Sequence, residues 1–136
     1  MAGVGTHDLI AAFEEEQKTV VFSALSDYLH SAVFTDVALV CGNGHQRLRA
    51  HKVVLASSCK FFRDMFKHAP TVNVIDLDKE LAPNGLSLTF EDVELIIGIL
   101  YCVGTVEISP QRVAALLLAA QVSTNCTLLK YIISII

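Results

Sequence analysis

The amino-acid sequence predicts an α+β domain, in which a small β-sheet lies beside a cluster of helices. The chain has 136 residues, which is room for one hydrophobic core and little more. Segments with apolar residues at helical spacing alternate with short β-rich segments, and no internal repeat is visible. Hydrophobic residues make up 53% of the chain, yet no apolar run approaches the roughly 20 residues that a membrane-spanning helix needs. We therefore expect a single domain over residues 1–136, with its apolar excess buried in a core or an interface.

The first predicted helix covers residues 14–30, because Val21, Leu25 and Tyr28 recur at a spacing of three to four residues. Three glutamates at its start suit the positive end of the helix dipole. A short apolar stretch, residues 9–13, precedes it. This stretch is either a short strand or an N-terminal extension of the helix.

A β-hairpin and a helix pair are predicted next. Residues 36–41 are rich in apolar side chains, residues 45–50 alternate in character, and Gly42-Asn43-Gly44 between them is typical of a turn. A short helical piece follows at residues 53–56, then Ser57-Ser58 as a cap and break. The second helix of the pair carries Phe61, Phe62, Met65 and Phe66.

The second half of the chain predicts one more strand and further helices. Residues 72–77 alternate and favour a third strand, and residues 78–88, which contain Pro83-Asn84-Gly85, are predicted to form the longest loop. The capping-box pattern from Thr89 to Asp92 predicts a helix that runs to Gly104. The remaining predictions are a short strand at 106–108, a helix after Ser109-Pro110 and a last helix from Cys126.

Composition argues against several function classes. The four cysteines lie far apart, without the spacing of a metal site or disulfide framework, and are interpreted as reduced core cysteines. The formal charge of −4 comes with scattered lysines and arginines, so we expect no direct binding of nucleic acid. No signal peptide, phosphate-binding loop or nucleophile with a recognised base is visible. We expect an intracellular, non-catalytic domain without cofactor, metal or membrane attachment.

Three motifs in a fixed order resemble the BTB/POZ family. They are Phe34-Thr35-Asp36-Val37, then Ala50-His51-Lys52-Val53-Val54-Leu55-Ala56 after the hairpin, and Phe61-Phe62-Arg63-Asp64-Met65-Phe66. The later Val74-Ile75-Asp76-Leu77 and the segment from Tyr101 to Val106 look like further elements of the family, so that the resemblance covers roughly residues 14 to 136. Two segments depart from the family pattern. The turn at Tyr101-Cys102-Val103-Gly104 is one residue longer than in the family, and the link at residues 78–88 is also longer than the family's usual link between the third strand and the next helix.

This resemblance implies the BTB/POZ fold, a small sheet packed against five to six helices, with the core at residues 34–136. It also implies a homodimer formed chiefly through the helix at residues 14–31, often with an N-terminal strand exchanged between subunits. Residues 1–13 would contain that strand, with Leu9, Ile10 and Phe13 as its apolar residues. The alternative is that the apolar face of the helix packs on its own sheet. The implied dimer interface consists of Val21, Phe22, Leu25, Tyr28 and Leu29.

Two further sites follow from the resemblance. Asp36 and Lys52 match charged positions of a pocket at the base of the family's dimer, where removing one partner of a buried pair would be worse than removing both. The alternative is an ordinary half-exposed ion pair, which contributes about 0–1 kcal/mol. His51 beside them is expected to be a structural histidine with satisfied hydrogen bonds.

The resemblance implies a protein–protein interaction domain, and we expect a homodimer that recruits co-regulator proteins or peptides in a nuclear transcription or chromatin regulator. Zinc fingers outside this segment would then bind DNA. One alternative is a substrate adaptor of a cullin-type ubiquitin ligase, which would be cytoplasmic or nuclear. Such members carry an apolar-x-Glu element after the Phe61 to Phe66 helix, whereas residues 67–71 contain no acid. A higher-order oligomerisation scaffold is the third hypothesis.

Overall fold

Five α-helices and three β-strands build the part of the chain that the computed structural model describes, which comprises residues 5–42, 44–84, 88–102 and 120. The helices are α1 (Thr6–Ser31), α2 (Lys52–Ser58), α3 (Lys60–His68), α4 (Leu77–Leu81) and α5 (Phe90–Leu100). The strands are β1 (Val37–Cys41), β2 (Gln46–Ala50) and β3 (Val74–Asp76), and a 3-10 turn covers Ala82–Asn84. The predicted α+β class is confirmed.

Strand β1 lies in the middle of the sheet, whose order is β2-β1-β3. It pairs antiparallel with β2, with Leu39 opposite Leu48, and parallel with β3, with Leu39 opposite Ile75. All five residues of β1 are buried, whereas most of β2 is exposed. The hydrophobic run of β1 therefore belongs to a strand that is covered on both faces.

One core joins the sheet to helices α2, α3 and α5. Leu39 and Leu55 are completely buried, and Phe62 and Ile97 pack into the same cluster. Phe62 stacks on Phe66 one turn later, with ring centroids 6.0 Å apart. The helical spacing of these aromatic side chains thus predicted the face of α3 that is buried.

Local backbone signals explain two element boundaries. Gly42 and Gly44 in the hairpin turn have φ angles of 63° and 84°, a conformation that glycine adopts without steric cost. The Thr89 hydroxyl accepts a hydrogen bond from the Asp92 backbone N–H, and the Asp92 carboxylate accepts one from the Thr89 N–H. This confirms the predicted capping box at the start of α5.

The predicted strand at residues 9–13 is wrong, because Leu9, Ile10 and Phe13 lie in helix α1. The alternative interpretation, an N-terminal extension of the helix, describes the structure. Alanines at positions 11 and 12 and glutamates at 14–16 favour helix, and no glycine or proline interrupts the segment.

The predicted long loop at residues 78–88 is also wrong in part, since α4 and the 3-10 turn occupy residues 77–84. The Asp76 carboxylate accepts a hydrogen bond from the Lys79 N–H and so caps α4. Leu77 and Leu81 on this short helix are buried in the core, which stabilises a helix that local sequence alone would not predict. The elements predicted beyond residue 102 lie outside the described residues.

Candidate protein interaction surface

The N-terminal part of helix α1 is surrounded by solvent. Every residue from position 6 to position 23 is exposed, and no residue of α1 is fully buried. The exposed side chains include large apolar ones: Leu9 is 59% exposed, Phe13 63% and Val20 62%. Apolar side chains grouped in this way on a surface are typical of interfaces.

The C-terminal end of α1 adds to this apolar surface. Ala32 adopts a left-handed conformation, and the N–H groups of Ala32 and Val33 bond to carbonyls of the last helical turn, which ends the helix in a Schellman motif. Phe34 also has a positive φ of 61°, which is strained for a bulky residue. Its ring is 75% exposed and meets Tyr28 edge to face, with centroids 5.1 Å apart. The strained backbone thus presents an aromatic side chain beside α1.

A buried hydrogen-bond network fixes the position where the chain leaves α1. The Nε2 atom of His51 lies 2.8 Å from the Val33 carbonyl oxygen, and Nδ1 lies 2.7 Å from the Tyr101 hydroxyl. Because a carbonyl can only accept, His51 donates through Nε2, and Nδ1 accepts from Tyr101. The Tyr101 oxygen in turn accepts from the His51 backbone N–H at 2.8 Å. His51 is thus a structural histidine with both ring nitrogens satisfied.

Burial keeps Tyr101 in its neutral form. The side chain is completely buried. Burial raises the pKa of Tyr101 to about 12, the hydrogen bond from His51 opposes that rise, and the charge of Asp36 adds to it. The hydroxyl therefore remains a donor to His51 throughout the physiological pH range.

The five predicted interface residues lie within an arc of about 120° on α1, but their surroundings differ. Val21 and the half-buried Tyr28 lie toward the exposed apolar side. Leu25 and Leu29 pack against the chain's own core. Phe22 lines a groove that also contains Cys102, at the end of α5. Successive residues are about 100° apart around a helix, so a single sequence stripe was divided between partner and core surfaces.

The predicted charged pair is not an ion pair. The Asp36 carboxylate accepts a hydrogen bond of 2.7 Å from the backbone N–H of Lys52, at the start of α2. The Lys52 ammonium instead donates to the Pro70 carbonyl at 3.0 Å and lies 5.7 Å from the centre of the Phe66 ring. The carboxylate bonds to the backbone because a free helix N–H is close to it, whereas the long lysine side chain reaches elsewhere. In the single chain Asp36 is exposed and Lys52 half-buried, and burial of both in a pocket of a dimer stays a prediction.

Sequence reasoning missed the roles of Tyr101 and Phe34. Both belong to motifs that were noted for their resemblance, but their contacts were not predicted. A buried tyrosine needs a hydrogen-bond partner for its hydroxyl. That partner is His51, which lies 50 residues earlier in the sequence, so no local pattern connects the two. Nothing in the sequence indicates the positive φ of Phe34.

Cys41 and Cys59 are buried, and burial followed by the charge of Asp78 raises the pKa of the Cys41 thiol, so Cys41 remains an unreactive core side chain. Within the described ranges, no group of three or more histidine, cysteine or acidic side chains could hold a metal ion. No helix in those ranges could span a membrane.

Comparisons with known proteins identify the family. The family model described as BTB/POZ domain matches residues 25–123. Among solved structures, the chain is similar to the BTB domain of zebrafish PATZ1, with a TM-score of 0.72 and 15% identity over 89% of this chain and 92% of that one. No curated protein gives a significant match. Such domains are protein–protein interaction modules that are generally not catalytic. The chain belongs to the BTB/POZ domain family.

Proposed function

We propose that this domain forms a homodimer through α1 and recruits partner proteins in a nuclear transcription or chromatin regulator. The observation that carries the dimer proposal is the exposed apolar surface of Val21, Tyr28, Val33 and Phe34 at the end of α1. Apolar surface of this kind is stabilised when a second copy covers it, because water is released from both copies.

The position of this surface also supports the proposal. Leu25 and Leu29 attach one side of α1 to the core, and the network of His51, Tyr101 and Val33 fixes the end of the helix. The interface residues are therefore held in place before a partner binds, which reduces the entropy lost on association.

Light scattering after size exclusion, over a wide concentration range, tests the dimer. We expect the parent chain to be a dimer and the Val21→Asp/Phe34→Asp variant to be a folded monomer. Aspartate tolerates the positive φ at position 34 better than phenylalanine does, so the variant should fold. Val53→Asp is the matched control, because Val53 is 70% exposed and belongs to a different helix, α2. A parent chain that is monomeric at every concentration contradicts the proposal, and a larger discrete species favours the scaffold alternative.

The loop after α3 supports the regulator over the cullin adaptor. Helix α3 ends with Lys67 and His68, and Lys52 donates to Pro70 in the following turn, so the exposed loop is basic. An adaptor would need an acidic side chain near this position, as the resemblance implies.

A reporter assay and a binding assay separate these two functions. When the chain is fused to an unrelated DNA-binding domain, we expect reporter transcription to change, and the Val21→Asp/Phe34→Asp variant to lose the effect. Purified cullin scaffold should not bind the chain. Tight cullin binding with no effect on the reporter would reject the regulator in favour of the adaptor.

A further inference from the structure

We propose that the N-terminal two thirds of α1 is a helical arm that packs antiparallel along α1 of a second copy; this inference rests on the proposed homodimer. The arm consists of residues 6–23, all of which are exposed. Because the family match begins at residue 25, the arm lies outside the part of the chain that the family model accounts for.

The arm carries an apolar stripe that continues the proposed dimer interface. At about 100° per residue, the side chains of the stripe fall within an arc of about 120° on one side of α1. Gln17 and Asp27 also fall within this arc; the apolar side chains continue past Ala24 to Tyr28, and no described side chain of the core covers them. Its apolar members are Leu9, Ile10, Phe13, Val20, Val21, Ala24 and Tyr28.

The charges of α1 favour a protein partner over a membrane surface. Helix α1 carries five acidic residues, three of them at positions 14–16, and one lysine, Lys18. Lys18 already pairs with Glu15 at 3.2 Å. Helices that lie on membranes usually carry lysine and arginine on the polar face, where they attract anionic lipids. This helix would be repelled by such lipids.

The same charges select the antiparallel orientation. In a parallel pair, the glutamates at 14–16 of one copy would lie beside the same glutamates of the other, which is unfavourable. If the two helices instead overlap about their midpoint, between residues 18 and 19, the glutamates lie beside residues 21–23 of the other copy, which contain no acid. This register also places Phe13 opposite Ala24 and Leu9 opposite Tyr28. At these two positions a large apolar side chain thus faces a small or another apolar one, whereas Ile10 lies opposite Asp27 and Val20 opposite Gln17.

The dimensions fit an arm that adds to the domain interface. The arm has 18 residues and is about 27 Å long, so one lengthwise face about 10 Å wide offers about 270 Å². A standard interface covers about 800 Å² of each partner. The arm therefore supplies about a third of such an interface, and the surface around Phe34 contributes to the remainder.

Disulfide trapping tests the arrangement directly. The pair Phe13→Cys/Ala24→Cys would be made in a chain that also carries Cys102→Ser and Cys126→Ser, since Cys41 and Cys59 are buried. A bond within one helix is impossible, because positions 13 and 24 are about 16 Å apart along the axis. We expect mild oxidation to give a covalent dimer for this pair. Phe13→Cys alone, the control, should remain monomeric on a non-reducing gel.

Light scattering separates this inference from the proposed homodimer. Phe13→Asp should raise the dissociation constant of the dimer by about tenfold or more, since the change acts twice in a symmetric pair. One combination of results would overturn the proposed arm but keep the proposed homodimer. In that case Val21→Asp/Phe34→Asp abolishes the dimer, Phe13→Asp does not affect it, and the cysteine pair does not trap it. The arm would then be free for a different protein. Efficient trapping by Phe13→Cys alone would overturn the antiparallel orientation, and a monomeric parent chain would overturn both proposals.

Discussion

Helix α1 and strand β1 carry the same kinds of apolar side chain, but those of β1 are buried and many of those of α1 are exposed. All five residues of β1 are buried within the chain, whereas α1 has 26 residues and none is fully buried. The two segments are only five residues apart. The difference shows that apolar content indicates burial only together with the position of an element in the fold, and that α1 has apolar surface which its own domain does not cover.

The residues between the two segments connect them mechanically. Val33 receives the hydrogen bond from His51, and Asp36 bonds to the first N–H of α2. Both contacts join the chain between α1 and β1 to the turn between β2 and α2. The solvent-exposed helix is therefore attached to the buried sheet through a small number of specific bonds.

Truncation of one leucine in each segment should give the largest difference. Leu39→Ala in β1 removes a completely buried side chain and should lower the free energy of unfolding by about 2–5 kcal/mol at every protein concentration. Leu9→Ala in α1 should lower it only at concentrations where the chain is dimeric, because Leu9 contacts no core residue. Urea unfolding over a range of protein concentrations measures both. A large effect of Leu9→Ala in dilute solution would contradict the contrast.

Alkaline pH should weaken the connection between the two segments. Tyrosine in the unfolded chain titrates near pH 10, and the pKa of Tyr101 in the folded chain is about 12, so folding favours the neutral form. Its contribution to stability is complete below pH 10 and is lost as the pH rises from about 10 to about 12, by up to about 3 kcal/mol. Urea unfolding at a series of pH values measures this loss. Tyr101→Phe is the control, and an equally steep loss in that variant would contradict the assignment.

Tyr101→Phe should itself destabilise the chain at neutral pH. The change leaves the His51 backbone N–H and ring nitrogen Nδ1 buried without a partner, which should cost about 1–3 kcal/mol. Tyr28→Phe on α1 is the matched control and should change the stability by less than about 0.5 kcal/mol. Thermal unfolding compares the two variants. Equal stability of both would show that the hydroxyl of Tyr101 is not needed to hold the end of α1.

The sequence predicted elements with strong local signals and missed those set by tertiary contacts. The capping box at Thr89 and Asp92 and the paired glycines of the hairpin specify their conformations through bonds between near neighbours. Helix α4 could not be predicted, because five residues form a helix only when Leu77 and Leu81 are buried.

The candidate surface was predicted only in part for a related reason. The spacing of apolar residues in α1 showed that a face would be buried, and the structure shows that Leu25 and Leu29 contact the core while Val21 remains exposed. Periodicity describes a helix face but does not say whether the domain or a partner covers it. The contacts of Asp36 and Tyr101 depend on residues 16 and 50 positions away, which no local pattern records.

The smallest expected effect tests how the chain is held between α1 and β1. Asp36→Ala removes the acceptor for the Lys52 N–H and should lower the free energy of unfolding by about 1 kcal/mol, as loss of a helix cap does. Lys52→Met keeps that backbone N–H and removes the ammonium, with its bond to Pro70 and its position over the Phe66 ring. The two effects should therefore add in a double-mutant cycle, with a coupling energy below about 0.5 kcal/mol. A coupling well above that value would mean that the two side chains pair directly, and the carboxylate would then serve the charged pocket that the resemblance implies rather than the start of α2.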